Sequence, residues 1–160
     1  MQEPDVQTVA GENLTEQVEK HWLDWTQSME QDQLSILTAQ PDFINELKRV
    51  WEASDYVMQS CIRVPGLLHD LLEAGDLHAS WPLGEMERRL QRELEPVADD
   101  EALQRCLRLF RRTQMVRIIW RDLAGIAPLS ETLEDLSALA DACVDQALAL
   151  LYEWAVAKQG

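Results

Sequence analysis

The sequence predicts an all-α protein, built as an antiparallel bundle of helices, and three observations predict this class. Apolar residues recur at steps of three and four along most of the chain, which is the period of an amphipathic helix. No segment alternates apolar and polar residues as a half-buried strand would, and no Asn-Gly or Asp-Gly pair marks a hairpin. Packing neighbouring helices side by side is the natural way to bury such apolar stripes.

The first element follows a short segment without any apolar period. Residues 1–12 include Pro4 and Gly11, so we expect a mobile tail there and a single helical domain over residues 13–158. The first helix is indicated by apolar residues at steps of four, four, three and four, namely Leu14, Val18, Trp22, Trp25 and Met29.

Four shorter segments follow, and prolines and small polar residues mark their ends. Pro41 suits the first turn of a helix, Ser54 is predicted to cap the next one, and that helix stops before Pro65. A short helix closes at Gly75, and another ends at Pro96 after a loop around Trp81-Pro82. Their buried stripes are predicted to be Phe43, Leu47, Val50 and Trp51; Leu67, Leu68, Leu71 and Leu72; and Met86, Leu90 and Leu94.

Two long helices are predicted at the C-terminal end, over about 99–125 and 130–158. Asp99 is the expected N-cap of the first and Gly125 its end, and Ser130, after Pro128, is the expected N-cap of the second. The last helix carries a narrow apolar seam of the coiled-coil kind, formed by Leu133, Leu136, Ala140, Cys143, Ala147, Leu150 and Trp154.

Composition narrows the classes of function. The net charge of −15 and the pI near 4.4 oppose binding to nucleic acid or anionic lipid. The N-terminus lacks a secretory pattern, and no apolar stretch approaches the roughly 20 residues of a membrane span. The three cysteines are odd in number and lie far apart, which is typical of reduced, buried thiols. These features predict a cytoplasmic protein.

Residues that carry catalytic chemistry are mostly lacking. His21, His69 and His78 have no second histidine or cysteine at metal-ligand spacing, and the sequence contains neither a glycine-rich phosphate loop nor a nucleophile elbow. The acid pairs Asp99-Asp100 and Glu134-Asp135 lie at predicted helix starts, where negative charge interacts favourably with the positive end of the helix dipole. We therefore assign no catalytic, cofactor-binding or metal-binding residue.

One helix concentrates positive charge in this acidic chain. Its arginines are Arg105, Arg108, Arg111, Arg112, Arg117 and Arg121. Arg105, Arg108 and Arg112 share one side, as a solvated face or a row of salt bridges would. Arg117 and Arg121 lie one turn apart in a stretch that is apolar nearly all round, so burial there requires a carboxylate or carbonyl partner. A neighbouring helix or a domain beyond this chain would supply it.

A long, unusual run of residues resembles a known family. The run from Arg105 through Arg117-Ile-Ile-Trp-Arg-Asp-Leu123, followed by residues 131–144 and Leu151-Tyr152, is similar to the N-terminal region of bacterial glutamine synthetase adenylyltransferase/adenylyl-removing enzymes. Ser54-Asp-Tyr-Val57 fits the opening helices of the same family, and the resemblance covers roughly residues 45–157.

The resemblance implies a parent enzyme whose N-terminal half removes AMP from glutamine synthetase by phosphorolysis on a nucleotidyltransferase fold. It further implies magnesium and ATP/ADP as cofactors, glutamine synthetase as target, and control by glutamine and the PII signal protein. The family's Ser-Asp-x-Asp signature is lacking, since no Asp-x-Asp occurs in this sequence. Without paired carboxylates to hold the metal, we expect this chain alone to be inactive.

Two hypotheses follow. The first is that the chain is a helical segment, cut before the adenylyl-removing nucleotidyltransferase core, in which Arg117, Trp120 and Arg121 touch or support the missing domain. The alternative is a free-standing helical protein-interaction module that binds its partner through the seam of the last helix.

Overall fold

The computed structural model describes residues 6–160, with side chains from residue 15 onward. Every regular element in this part of the chain is helical, which confirms the predicted class. The helices are α1 (Val6–Ser28), α2 (Gln31–Thr38), α3 (Pro41–Ala53), α4 (Asp55–Arg63), α5 (Leu67–Glu73), α6 (Glu85–Leu94), α7 (Asp100–Leu123) and α8 (Leu129–Gln159).

Helix α1 begins earlier than the apolar period alone indicates. It starts at Val6 and so includes residues 6–12, for which a mobile tail is expected; residues 1–5 of that expected tail lie outside the described residues. Extending an existing helix costs far less than nucleating one, and a single glycine such as Gly11 costs only about 1 kcal/mol. The α-helical conformation can therefore extend beyond the segment that carries the apolar stripe.

The chain divides into two compact units, Met1–Leu77 and His78–Gly160, where the sequence analysis expects one domain over residues 13–158. In the first unit Trp25 packs edge-on against Trp51, with ring centroids 5.4 Å apart. The Trp25 indole N–H donates to the carbonyl of Cys61 at 3.1 Å, which ties α1 to α4. Phe43, Leu47, Val50 and Trp51 are all buried, as predicted for α3.

The second unit contains α6, α7 and α8. Its core is formed by Met86, Leu90, Leu94, Leu103, Phe110, Ile118, Leu139 and Ala142. Helix α7 ends in a Schellman turn, because Gly125 takes a φ of +71° and the N–H of Ile126 donates to the carbonyl of Arg121 at 2.9 Å. This turn reverses the chain into α8, so that the two longest helices form an antiparallel hairpin.

The predicted caps were partly correct. Ser54 and Asp99 accept hydrogen bonds from the backbone N–H groups of Val57 and Ala102, at 3.3 and 2.8 Å. The prediction for Ser130 was wrong, because α8 already begins at Leu129 and its N-cap position is Pro128. Pro128 has the extended backbone of a cap residue, with ψ at 160°, and no side chain caps this helix.

Candidate functional site

Two buried arginines and two acids join the helices of the α7–α8 hairpin. Arg117 donates through Nη1 to Asp135 Oδ2 at 2.8 Å, and Arg121 donates through Nε to Glu131 Oε1 at 3.0 Å. The arginines lie one turn apart on α7 and the acids one turn apart on α8, in opposite order, as antiparallel packing requires. We call these four residues the arginine ladder.

The ladder confirms that Arg117 and Arg121 pair with a neighbouring helix. The side chains of Arg117 and Arg121 are 0% and 3% exposed, whereas Asp135 and Glu131 keep 15% and 21%. A guanidinium removed from water to this degree must be matched by carboxylates and carbonyls. Asp135 is thus bound to Arg117, which corrects its interpretation as a helix-start acid; it is the seventh residue of α8, beyond the first turn.

The loop before α6 docks on the same arginine. Arg117 Nη2 donates to the carbonyl oxygen of Ala79 at 2.8 Å, and its Cζ lies 3.9 Å from the ring centroid of Trp81. Arg89 lies near the same ring, with its Cζ at 4.1 Å. Desolvated cation–π contacts of this kind contribute up to about 2 kcal/mol. Arg117 therefore connects α7, α8 and the preceding loop, a role that the Trp81-Pro82 turn pattern did not indicate.

Arg89 also belongs to an ion-pair group on α6. It donates to Glu85 at 2.7 Å, and Arg88 donates to the same carboxylate at 3.1 Å. The hydrogen bonds from Arg89 and then Arg88 lower the pKa of Glu85. Glu85 is thus kept ionised and orients Arg89 toward the Trp81 ring.

The three residues predicted to touch or support a missing domain are all buried. Trp120 is 0% exposed, like Arg117, and Arg121 is 3% exposed. In the described chain none of them offers surface for a new contact. Their relation to a further domain stays a prediction.

The remaining arginines of α7 are the more accessible ones. Arg105 and Arg108 are exposed and Arg112 is half-buried. Arg105 pairs with Glu101 one turn away at 2.8 Å, a surface contact of small energetic value. This side of α7 is a solvated face, as its spacing predicts.

A cluster of His69, Asp70 and Glu73 is the one group in the described residues with metal-compatible ligand distances, all within 4.8 Å. His69 is buried, its Nδ1 lies 3.2 Å from Asp70 Oδ1, and its Nε2 is buried without a hydrogen-bond partner. A metal on Nδ1 would place the imidazole proton on Nε2, and this N–H would have no hydrogen-bond acceptor. An imidazole whose Nδ1–H donates to Asp70 fits the cluster better than a metal ligand does.

The cysteines are free thiols in unreactive surroundings. Burial raises the pKa of the Cys61 thiol to about 12, and burial also raises the pKa values of Cys106 and Cys143. A thiol attacks as the thiolate, so all three are poor nucleophiles at neutral pH. Within residues 6–160 no helix has the length and apolar character to cross a membrane.

Comparisons with known proteins place this sequence in a family. The sequence model of the glutamate-ammonia ligase adenylyltransferase family matches residues 44–160. A bifunctional glutamine synthetase adenylyltransferase/adenylyl-removing enzyme of Pseudomonas aeruginosa is 45% identical over 122 residues, which is 76% of this chain and 12% of that enzyme. Enzymes of the same name from Nitrosococcus oceani and Thioalkalivibrio sulfidiphilus are 44% and 43% identical, over 66% and 71% of this chain and 11% and 12% of theirs.

The match is confined to a small part of each relative, since the chain spans about an eighth of their length. No solved structure matches the chain. The family match covers α4 through α8 entirely, so the arginine ladder lies within the matched residues. The chain belongs to the glutamate-ammonia ligase adenylyltransferase family.

Proposed function

We propose that this chain is a helical support in a bifunctional glutamine synthetase adenylyltransferase/adenylyl-removing enzyme, beside the nucleotidyltransferase domain that removes AMP by phosphorolysis. The observation that carries the proposal is that the family match takes in most of the chain while the chain lacks the paired carboxylates of such a domain. Phosphoryl chemistry needs a metal or equivalent charge to stabilise the transferred group. Turnover therefore depends on other parts of the polypeptide.

The arginine ladder explains how the chain would serve as a support. Two buried ion pairs, one carbonyl contact and a stacked tryptophan fix α8 against α7 and the preceding loop. Groups fixed in this way present a surface whose shape changes little, which is what precise positioning of a catalytic domain requires. Arg117, Trp120 and Arg121 act in this proposal as supporting residues.

The partners and cofactors of the parent enzyme belong to the same proposal. Glutamine synthetase is the target, the PII signal protein a regulator, and the cytoplasm the compartment. Asp99 caps α7, and Asp135 and Glu131 pair with the buried arginines, so these three acids do not form a carboxylate pair on a phosphate-binding turn. We therefore assign magnesium and ATP/ADP to the rest of the enzyme.

The test is phosphorolysis of adenylylated glutamine synthetase by three proteins. These are the 160-residue chain, the Pseudomonas aeruginosa enzyme, and a chimera of that enzyme in which this chain replaces the matching segment. Phosphorolysis transfers the AMP group to inorganic phosphate, so we expect release of ADP by the second and third only. In the chimera, Arg121→Ala should lower the rate or the thermal stability, and Arg105→Ala, on the exposed face of the same helix, should change neither. Release of ADP by the isolated chain, or a fully active and stable Arg121→Ala chimera, would contradict the proposal.

A second candidate function is a free-standing helical interaction module. The exposed apolar side of α8 favours it, because Leu133, Val144 and Leu148 lie largely in solvent. A chimera without adenylyl-removing activity, together with specific binding of the isolated chain to a separate protein through α8, would favour this second function.

A further inference from the structure

Helix α8 is apolar on two neighbouring sides, and the described chain covers only one of them. Leu139 and Ala142 are buried in the core of the second unit, and Cys143, Leu150 and Trp154 pack partly against that core. The other side carries six exposed apolar residues, which we call the outward stripe: Leu133, Leu136, Ala140, Val144, Leu148 and Leu151.

The outward stripe has the dimensions of a helix-packing surface. At about 100° per residue its members fall within about 60° of one line, and no charged residue between positions 133 and 151 falls inside that sector. The stripe extends over about 27 Å at about 1.5 Å per residue. Leu148 is 62% exposed, yet a helix that is apolar on two sides normally packs on both.

The sequence around the stripe indicates what covers it. Alanines at 140 and 147, seven residues apart, let another helix approach closely. Glu134, Asp141 and Asp145 are exposed along one edge of the stripe, and the chain has a net charge of −15. Two copies of this chain would bring further negative charge together, so a second copy is a poor occupant.

The relatives are about eight times longer than the segment that they share with this chain, and the shared segment includes the whole of α8. We infer that the outward stripe binds a further helix of the same polypeptide, apolar on one face and basic along the edge that meets Glu134, Asp141 and Asp145. This inference rests on the proposed function, because it takes the support to lie within a longer enzyme.

The test measures thiol labelling, which does not depend on catalysis. Leu148→Cys and Leu133→Cys probe the two halves of the stripe, and Leu83→Cys is the matched control, since Leu83 is fully exposed and lies in the loop before α6. Each variant is made in the 160-residue chain and in the chimera described above. N-ethylmaleimide labelling is scored residue by residue by peptide fragmentation, which separates the new thiols from Cys106 and Cys143.

We expect both stripe thiols to be labelled at least tenfold more slowly in the chimera than in the isolated chain, with Leu83→Cys equally fast in both. Equal labelling rates of Leu148→Cys in the chimera and in the isolated chain would overturn the inference. Protection at only one stripe position would show that a single long helix does not cover the whole stripe. Protection in the isolated chain that grows with its concentration would identify a second copy instead. An active chimera with unprotected stripe thiols refutes only the docking surface, whereas an inactive chimera with protected thiols refutes only the proposed function.

Discussion

Removing the carboxylate of Asp135 should destabilise the second unit by about 3 kcal/mol. Breaking a buried ion pair by deleting one partner costs about 3–5 kcal/mol, because the remaining charge stays buried. Arg117 is fully buried but keeps the Ala79 carbonyl at 2.8 Å and the face of Trp81 after the change. Those two contacts place the expected cost of Asp135→Ala at the lower end of the range.

The matched control is Glu134→Ala, at the adjacent residue on the exposed side of the same helix. A surface substitution of this kind is expected to change the free energy of unfolding by about 0.5 kcal/mol or less. The assay is urea unfolding followed by circular dichroism, with hydrogen exchange of α8 amides to localise the loss. A cost for Asp135→Ala within about 1 kcal/mol of the control would refute the view that the ladder holds the hairpin together.

The double variant Arg117→Met with Asp135→Leu separates the net contribution of the pair from the penalty of breaking it. Replacing a whole buried pair by apolar residues of similar volume is often neutral or stabilising. We therefore expect the double variant to be more stable than Asp135→Ala alone. A double variant that loses the sum of both single costs would show that the two residues do not interact energetically, which would contradict the orphaned-charge explanation.

Two further predictions concern single residues. Gly125→Ala should lower the free energy of unfolding by about 1 kcal/mol, because Gly125 has a φ of +71°. Gly125→Asn should lower it less, since Asn tolerates this conformation. Thermal unfolding compares the two variants, and equal losses of stability would contradict the backbone explanation. Cys61 has a pKa of about 12, so only about 0.1% is thiolate at pH 9, and iodoacetamide should leave it unmodified in the folded chain. Because this folded pKa lies above the ordinary 9.0, the protonated thiol should stabilise the fold below pH 9, and this stabilisation should be lost between pH 9 and 12. Cys61→Ala should remove this pH dependence from alkaline unfolding curves.

Local patterns predicted the helices because each depends on neighbours in sequence. Pro41 begins α3, Ser54 and Asp99 cap their helices through side-chain hydrogen bonds, and Gly125 ends α7 in a left-handed turn. The wrong cap, Ser130, shows the limit of this reasoning. Two residues upstream, Pro128 already has a cap conformation, so α8 starts before Ser130.

Contacts between helices were less predictable. Burial of Arg117 and Arg121 followed from the apolar surroundings on α7, but the sequence offered many acids as partners and could not choose Asp135 and Glu131. Trp81 gave only a loop pattern, since its stacking between Arg89 and Arg117 depends on where the loop folds back. Predicting such contacts requires the register of α8 against α7.

The seam predicted on α8 shows the same limit. Leu150 and Trp154 pack against the core of the second unit, whereas Leu133 and Ala140 are exposed. The 3–4 spacing identified apolar residues but not which of two sides each belongs to. That assignment depends on the rotation of α8 about its own axis.

The arginine ladder sets this rotation and thereby connects the two proposals. A slip of α8 by one residue would turn it by about 100° and separate both carboxylates from their guanidinium partners. With both arginines almost fully buried, that slip would leave two unpaired charges, each costing several kcal/mol. The same pairs that hold Leu139 and Ala142 in the core therefore direct Val144 and Leu148 outward. If the ladder is broken in the longer enzyme, the outward stripe should lose its alignment before the hairpin unfolds, so Asp135→Ala should reduce the labelling protection at position 148 under conditions where α8 remains helical.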